Sequence, residues 1–196
     1  ERVPLDFCCQ PKGYCYASQG EPCNSLRFVL DGELCVSYVS NESDFSVIEY
    51  LNGPLVVQPE CLFGLVPKYN HTFLAQTTLH TLEVDKSFVR DVMFDFPVFK
   101  INYLNYVCSL SQVQTGKLLG IFGDTELYPR FLHFVLRHCL QHSGLKEIQI
   151  SMVRLAELLL TTRLKVSKML HSLENAGKLE LNRERIVIFR IENLLL

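Results

Sequence analysis

Alternation of apolar and polar positions dominates the first half of the chain. Seven short runs, separated by turn residues, are apolar or alternating and predict β-strands. They cover residues 14–16, 26–30, 34–39, 47–51, 61–65, 72–75 and 81–84. Between the second and third runs, Asp31-Gly32 predicts a tight hairpin because both residues tolerate positive φ. Residues 1–96 are therefore predicted to form a β-rich domain.

From Pro97 the pattern takes the period of a helix. Apolar and small side chains recur every three or four residues over about 22 residues, which corresponds to a helix about 33 Å long. The positions are Ile101, Leu104, Cys108, Ser111, Thr115 and Leu118. These positions form a heptad-like seam that is longer than a short globular helix needs. Alternatively, the helix packs on its own β domain through Val107, Leu110 and Val113.

A hinge and a further helix follow. Gly120 and Gly123 are predicted to interrupt the long helix, since glycine relaxes the restriction on φ. Pro129 suits the first turn of the next helix, which carries an apolar stripe. His138 and His142 on that helix have metal-ligand spacing, but no third ligand accompanies them, so no metal site is predicted. Residues 145–150 predict a short strand.

The last third of the chain predicts two short helices, a turn and a β-hairpin. Ser151 suits the N-cap of the first helix, and Leu160 to Thr162 interrupt it. Thr162 suits the cap of the second helix, and Gly177 suits its left-handed stop. The apolar face of the second helix consists of Val166, Met169, Leu170 and Leu173. Residues 179–181 and 186–188 then form a hairpin, which completes a winged helix-turn-helix.

This segment resembles a known family. ISMVRLAELLLTTRLKVSKMLHSLENAGKLELNRERIVI, residues 150–188, is similar to the DNA-binding end of the family of the cyclic-AMP receptor protein and the fumarate and nitrate reduction regulator (CRP/FNR). That family shows LA, a turn, S/T-R, V-S-R, L, LE, G and a β-hairpin. FVLDGELCVSY, residues 28–38, resembles the hairpin of its cyclic-nucleotide-binding β-rolls.

The resemblance implies an α+β fold. An N-terminal double-stranded β-roll, which resembles a cyclic-nucleotide-binding jelly roll, would occupy residues 1–96 and act as a sensor. Residues 97–122 would be the dimerisation helix and hinge, and residues 123–196 the winged helix-turn-helix domain. Two positions depart from the family pattern: Leu160 replaces the usual turn glycine, and Leu164 replaces a base-reading glutamate of many members.

The same resemblance implies a set of DNA contacts. The DNA-binding candidates are Ser151, Thr162, Arg163, Leu164, Lys165, Ser167, Lys168, His171, Arg183 and Arg185. Arg163 is placed to pair with a guanine, and Leu164 to pack against a thymine methyl or to face the protein. Lys165 and Lys168 suit a base or a phosphate. The serines, Thr162 and the wing arginines suit phosphates.

The β-roll lacks the residues that hold a cyclic phosphate. Family members use a G-E-x-A segment and a later arginine, whereas residues 62–66 and Tyr69-Asn70-His71 supply neither the glutamate nor the arginine. Cyclic AMP is therefore not predicted, and an unknown small-molecule effector is expected instead. The candidate effector pocket comprises Phe63, Gly64, Tyr69, Asn70, His71 and Thr115.

Composition adds a charge asymmetry and a cysteine question. The 196 residues carry a net charge of −2, divided into −6 for residues 1–116 and +4 for residues 117–196, so the C-terminal part suits phosphates. The sequence contains no run of about 18 apolar residues and does not start with a leader pattern, so neither membrane insertion nor secretion is predicted.

The eight cysteines lack CxxC pairs, which predicts reduced, buried thiols in a cytoplasmic protein and no iron–sulfur cluster. Four of them are loosely similar to the cluster ligands of some family members: Cys8, Cys9, Cys15 and Cys23.

Taken together, the sequence predicts a homodimeric, bacterial-type transcription regulator. Its expected partners are double-stranded DNA, a second copy of the chain, RNA polymerase and the unknown effector, with no membrane and no metal. No nucleophile elbow, P-loop, HExxH or GxGxxG motif occurs, so no enzyme is predicted. One alternative stays open, because Leu160 and Leu164 depart from the family: a ligand-sensing or scaffold protein that keeps the fold without binding DNA.

Overall fold

The computed structural model describes residues 5–123 and 126–195. The chain divides into two compact units. Unit 1 contains Glu1–Val36 and Leu51–Val113, and unit 2 contains Ser37–Tyr50 and Gln114–Leu196. Unit 2 is therefore built from two separate stretches of sequence. The boundaries predicted at residues 96 and 122 did not anticipate that residues 37–50 pack with the C-terminal part of the chain.

The secondary structure comprises strands and helices in the following order. The strands are β1 (Asp6–Gln10), β2 (Cys15–Ala17), β3 (Ser25–Asp31), β4 (Glu33–Val39), β5 (Phe45–Asn52), β6 (Leu55–Val57), β7 (Thr72–Ala75), β8 (Leu79–Asp85), β9 (Lys146–Ile150), β10 (Leu179–Asn182) and β11 (Arg185–Ile188). The helices are α1 (Lys86–Asp91), α2 (Pro97–Gly123), α3 (Leu127–Arg137), α4 (Met152–Leu158), α5 (Arg163–Asn175) and α6 (Glu192–Leu195).

Unit 1 is a pair of antiparallel sheets with an apolar interior. One sheet has the order β1-β8-β3-β6, and β2 pairs with β7, which neighbours β4. Apolar side chains such as Leu26, Val29 and Val84 are almost completely buried. An aromatic group of Phe63, Phe94, Phe99 and Tyr103 covers the start of α2. The Tyr103 hydroxyl donates to the Pro59 carbonyl at 2.7 Å.

The predicted Asp31-Gly32 turn forms, but the predicted hairpin is wrong: β3 pairs with β6 and β8 in one sheet, whereas β4 belongs to the other sheet, so the turn carries the chain between two sheets. β3 ends at Asp31 and β4 begins at Glu33, and Gly32 has a φ of +108°. A Cβ atom at residue 32 would lie 2.5 Å from the Thr78 carbonyl oxygen. Glycine is thus required at this position both by the backbone angle and by the space available.

Three parts of unit 1 differ from the predicted strand pattern. Residues 61–65 were expected to be a strand, but the chain forms a 3₁₀ turn at Pro59–Cys61 and a loop after it. Gln58 has a φ of 38°, and the following proline removes a ladder donor, so this apolar run cannot continue a sheet. β1 and β6 were not predicted, because β1 follows no clear alternation and β6 is only three residues long.

Unit 2 contains an antiparallel sheet with helices packed around it. The sheet order is β10-β11-β9-β5-β4, and β5 pairs with β9 from Phe45↔Ile150 to Glu49↔Lys146. β9 also pairs with β11, as predicted for the strand before the helix-turn-helix. The core of this unit includes fully buried side chains from the sheet and from three helices: Phe131, Ile148, Leu155, Val166, Leu170 and Ile186.

Helix α2 is longer than predicted and does not break at Gly120. It runs over 27 residues to Gly123, about 40 Å. A single glycine costs only about 1 kcal/mol relative to alanine, which is too little to end a long helix. Asp124, at the end of the predicted interruption, lies outside the described residues. Of the predicted seam, Ile101, Leu104, Cys108, Ser111 and Thr115 are exposed, and the side chain of Leu118 is outside the described part.

The cysteines are not uniformly buried, in contrast to the prediction. Cys8, Cys9, Cys15 and Cys108 are exposed, whereas Cys23, Cys61 and Cys139 are buried. Within the described residues, no three His, Cys, Asp or Glu side chains are grouped in a way that would hold a metal ion. The same part of the chain contains no helix that is both long and apolar enough to cross a membrane.

Candidate nucleic-acid interface

Helices α4 and α5 begin at the predicted capping residues. The Ser151 hydroxyl accepts a hydrogen bond from the backbone N–H of Arg154 at 3.1 Å. The Thr162 hydroxyl accepts one from the backbone N–H of Lys165 at 3.4 Å. Each cap satisfies an amide that has no partner within its own helix. Because Ser151 and Thr162 are occupied as caps, their backbone geometry is fixed at the two ends where DNA contacts were predicted.

The two helices end in the same hydrogen-bond arrangement, but with different residues at the critical position. After α5, Gly177 N–H donates to Glu174 O and Lys178 N–H donates to Leu173 O. After α4, Leu160 N–H donates to Glu157 O and Thr161 N–H donates to Ala156 O. Both are Schellman motifs, which require a left-handed residue. Gly177 has a φ of 68° and Leu160 one of 49°.

Leu160 therefore adopts a conformation that favours glycine. Left-handed backbone costs a non-glycine residue about 1–2 kcal/mol. Its side chain is 84% exposed, so little burial offsets that cost. The prediction that this turn is strained relative to the family pattern has a structural basis in the observed φ. The turn nevertheless forms, because both Schellman hydrogen bonds and the Thr162 cap are in place.

Helix α5 separates its apolar and polar faces sharply. Val166 and Leu170 are completely buried, while Met169 and Leu173 pack partly against the same core. Lys168 and His171 lie on the opposite side, whereas Arg163 lies on the side of Val166 and is exposed because it is the first residue of the helix. Arg163, Leu164, Lys165, Lys168 and His171 are exposed, and Ser167 is half-buried. Among the ion pairs of the described residues, none involves Arg163, Lys165 or Lys168, so these three cations remain available to a ligand.

Within the described part of the chain, His171 has an acidic partner, unlike the basic residues around it. Its Nδ1 lies 3.1 Å from Oε2 of Glu174, and Oε1 of Glu174 accepts the backbone N–H of Leu181 at 3.0 Å. The hydrogen bond from Leu181 and the nearby His171 lower the pKa of the Glu174 carboxyl. This chain of contacts ties α5 to strand β10. His171 therefore supports the position of the wing as well as lying on the predicted contact surface.

The wing is the predicted hairpin, and its tip is basic. Asn182 pairs with Arg185 across a two-residue turn, in which Glu184 has a φ of 56°. Arg183 is exposed at this tip. Arg185 is also exposed, but its Nη2 lies 2.7 Å from Oε2 of Glu147 on β9. Of the two predicted phosphate contacts on the wing, Arg185 already has an acidic partner.

The β4–β5 hairpin borders the predicted DNA contacts, which the sequence analysis did not foresee. At its tip, Asp44 and Glu42 form ion pairs with Arg154 of α4, the Glu42 pair at 3.0 Å. The Ser40 hydroxyl also binds Asp44 and lowers the pKa of its carboxyl. An open groove of about 650 Å³ lies between this tip and the wing. Its lining includes Ser43, Asp44, Ser151, Arg183 and Arg185.

No local sequence pattern predicts the contact between the β4–β5 hairpin and α4. Strand β5 alternates like any half-buried strand, and its partner β9 lies about 100 residues further along the chain. The acidic pair Glu42 and Asp44 is typical of an ordinary exposed turn. Only the tertiary pairing places these carboxylates beside residues that were predicted to bind phosphates.

The predicted effector residues differ in burial and do not all belong to the same unit. Tyr69 and His71 are buried, whereas Gly64 and Asn70 are exposed, and Thr115 belongs to unit 2. Buried Gln58 organises part of this region: its Oε1 accepts the backbone N–H groups of Asn70 at 3.0 Å and His71 at 3.2 Å.

The buried polar groups near this loop are mostly satisfied by each other. Nε2 of Gln58 lies 3.2 Å from Nδ1 of His71, so the His71 ring takes part in an internal contact. Glu60 differs: within the described residues its Oε2 is buried without a hydrogen-bond partner, and burial raises the pKa of its carboxyl. Sequence analysis passed over Gln58 and Glu60, because neither belongs to the family pattern in its usual position.

Comparison with known proteins identifies the architecture. No protein-family model matches the chain, and no curated protein sequence is significantly similar to it. Many solved structures are similar, and three of them illustrate the likeness. A transcriptional regulator (TM1171) from Thermotoga maritima has a TM-score of 0.55 and 18% identity, over 63% of this chain and 95% of that one. The catabolite activator protein of Thermus thermophilus has a TM-score of 0.53 and 18% identity, over 97% and 88%.

A third structure carries the family name predicted from the sequence. It is a transcriptional regulator of the CRP/FNR family from Eubacterium rectale, with a TM-score of 0.51 and 19% identity, over 98% of this chain and 88% of that one. All three similar proteins are transcription regulators, and two of them match almost the whole chain. The chain therefore has the fold of the CRP/FNR family of transcription regulators, a β-roll followed by a long helix and a winged helix-turn-helix.

Proposed function

We propose that this protein is a sequence-specific, double-stranded-DNA-binding transcription regulator. The observation that carries the proposal is the exposed surface of α5, at its first residue Arg163 and at Lys165 and Lys168, where the three cations make no ion pair among the described residues. In a helix-turn-helix the second helix enters the major groove while flanking elements hold phosphates. Arg183 at the wing tip and Ser151 at the start of α4 are suited to those phosphates.

We further propose that the regulator acts as a homodimer through α2. Val98, Ile101 and Leu104 on this helix are 72%, 53% and 46% exposed, an amount of apolar surface that a second copy would bury. Two-fold symmetry would place two copies of α5 about 34 Å apart. The DNA site would then be a pseudo-palindrome with half-sites one helical turn apart.

The β-roll is proposed to hold an effector other than cyclic AMP. The region of residues 58–71 offers buried Gln58 and His71 and the Glu60 carboxyl, whose Oε2 has no hydrogen-bond partner among the described residues, but no arginine that would bind a phosphate. An anionic nucleotide would meet a carboxylate here. A neutral or cationic small molecule suits this chemistry better. RNA polymerase is the expected protein partner of a regulator of this type.

The competing proposal is a scaffold or ligand sensor that keeps the fold and has lost DNA binding. Leu160 and Leu164 motivate it, because both replace residues of the family pattern. The cations on α5 argue against it. Three basic side chains are exposed there, and no acidic residue occurs between Arg163 and Leu173, a charge pattern that favours a phosphate-bearing ligand.

Selection of bound duplexes from a random DNA pool tests the proposal. The purified 196-residue chain is mixed with the pool at about 0.1 M salt, with a parallel selection at raised salt as the control for nonspecific retention. Recovery of an inverted repeat with half-sites one turn apart is the expected result. Absence of any enriched sequence, both alone and with small-molecule pools that raise the thermal stability of the chain, would contradict DNA recognition.

A further inference from the structure

The outward line of α5 runs through Leu164. Successive residues of an α-helix are about 100° apart, and completely buried Val166 and Leu170 mark the side that faces the core. The residues most nearly opposite that side are Leu164, Lys168, His171 and Asn175, all of them exposed. Arg163 lies far from this line, on the side of Val166, and is exposed because it is the first residue of α5. Leu164 is thus the first residue of α5 that points directly away from the protein.

Leu164 makes no structural contribution that would explain a leucine at this position. Its side chain is 65% exposed, and the core beneath α5 is already filled by other apolar side chains. Of the two roles that the sequence left open, facing the protein is therefore wrong. A single exposed leucine is common on protein surfaces. This one, however, lies between Arg163 and Lys165 at the end of the recognition helix that contacts base edges.

We propose that Leu164 reads the C5-methyl group of a thymine in the major groove. This inference rests on the proposed DNA-binding function. Thymine is the only base that presents a methyl group there, and leucine has no donor or acceptor for the polar edges of the other bases. A guanine, adenine or cytosine edge covered by Leu164 would lose water without gaining a hydrogen bond, which disfavours those bases.

The spacing to Lys168 predicts where that thymine lies. Lys168 follows one helical turn after Leu164 on the same outward line, about 6 Å away along the helix axis. Stacked base pairs are about 3.4 Å apart. The thymine should therefore lie within about two base steps of the base pair or phosphate that Lys168 contacts, once in each half-site.

A protein partner is the competing occupant of this surface. Val153, Leu158, Leu160 and Leu164 are all exposed on the two helices and their turn, and such side chains also suit a protein interface. Charge favours DNA, because Arg163 and Lys165 flank Leu164 and no acidic residue occurs between positions 158 and 173. A polyanion is the occupant that complements this combination of one apolar side chain and surrounding cations.

Replacement of thymine by deoxyuridine tests the proposal directly, because it removes only the methyl group. Duplexes carrying the selected site are made with each thymine replaced singly, and the affinity of the 196-residue chain is measured for each. At one position per half-site, we expect deoxyuridine to weaken binding about threefold to fivefold, the effect of one buried methyl-sized group. The Leu164→Ala variant should bind thymine and deoxyuridine at that position equally.

The matched control is Val153→Ala, which shortens another exposed aliphatic side chain on α4 and should keep the full response to deoxyuridine. Insensitivity of the unaltered protein to every replacement would overturn the proposal. So would a response that persists in Leu164→Ala, or a Leu164→Ala variant with normal DNA binding but weakened self-association in sedimentation. These results differ from failure of the proposed function, which would leave no enriched duplex to modify.

Discussion

Lys146 of β9 and Glu49 of β5 form an ion pair that is completely buried within unit 2. Nζ of Lys146 lies 2.6 Å from Oε2 of Glu49, and the two side chains are 0% and 2% exposed. The same carboxylate accepts the backbone N–H groups of Leu140 at 2.6 Å and Gln141 at 3.2 Å. Strand β5 thus supplies the acceptor for three donors from the C-terminal part of the chain.

Removal of one partner of this pair should destabilise the protein strongly. Lys146→Met leaves the Glu49 carboxylate buried without its counter-ion, a change that typically costs about 3–5 kcal/mol. Urea unfolding followed by circular dichroism measures it. The double variant Glu49→Gln with Lys146→Met should recover part of the loss, since no charge remains buried. A Lys146→Met protein as stable as the unaltered one would show that water reaches the pair.

Replacement of Leu160 by glycine should stabilise the helix-turn-helix. The Leu160 side chain packs against little, and its φ of 49° is one that glycine adopts freely. Relief of left-handed strain should raise the free energy of unfolding by about 1 kcal/mol, after the extra flexibility of glycine in the unfolded chain is subtracted. Leu164→Gly is the matched control, because the same change inside α5 should lower stability by about 1 kcal/mol. Thermal unfolding that moves in the same direction for both variants would contradict the strain assignment.

Arg163 and the wing arginines should affect DNA binding in different ways. Arg163→Ala should weaken binding to the selected site by about 1–3 kcal/mol and relax the preference at one base pair. Arg183→Ala should instead weaken binding to all sequences and reduce the slope of log affinity against log salt by about 1. Arg185→Ala should reduce that slope less, since Arg185 already pairs with Glu147. Equal loss of affinity for specific and random duplexes in Arg163→Ala would rule out base reading.

The acidic tip of the β4–β5 hairpin should oppose DNA binding. Glu42 is exposed and pairs with Arg154, and its neighbour Asp44 lines the groove that contains Ser151 and Arg183. Glu42→Gln removes one negative charge near the expected phosphates, so affinity for DNA should rise about twofold to fivefold at low salt and less at high salt. Glu21→Gln serves as the control, because Glu21 also pairs with an arginine but belongs to unit 1. An equal effect of both variants would assign the change to net charge alone.

Glu60 should make stability depend on pH. Burial raises the pKa of its carboxyl in the folded state, so the folded protein binds this proton more tightly than the unfolded chain. The associated stability is fully present below the unfolded pKa of about 4.3 and is lost as pH rises through the folded pKa. Glu60→Gln should therefore be more stable than the unaltered protein at pH 7, and the difference should vanish near pH 4. Urea titrations at the two pH values measure it, and a variant destabilised equally at both would contradict the assignment.

Local sequence determined the helix-turn-helix and the wing. Ser151 and Thr162 cap their helices, Gly177 ends α5, and the apolar face of α5 is buried, all as the pattern predicts. These features depend on interactions between residues a few positions apart, which a single sequence displays directly. The 3₁₀ turn at Pro59–Cys61 was not predicted, because the apolar run that follows it resembles a strand. Only the left-handed backbone conformation of Gln58, which the sequence does not show, excludes a strand there.

Only the tertiary structure decided what lies beside these elements. The pairing of β5 with β9, the buried contact of Glu49 with Lys146 and the ion pairs of Arg154 with the β4–β5 hairpin join residues about 100 positions apart. Such pairings depend on the register of whole strands and on the burial that follows, which no local window of sequence contains. The sequence by itself thus supplied the candidate DNA contacts, whereas tertiary packing decided which of these candidates already have an acidic partner. Arg163, Lys165 and Lys168 make no ion pair among the described residues, and Arg185 pairs with Glu147.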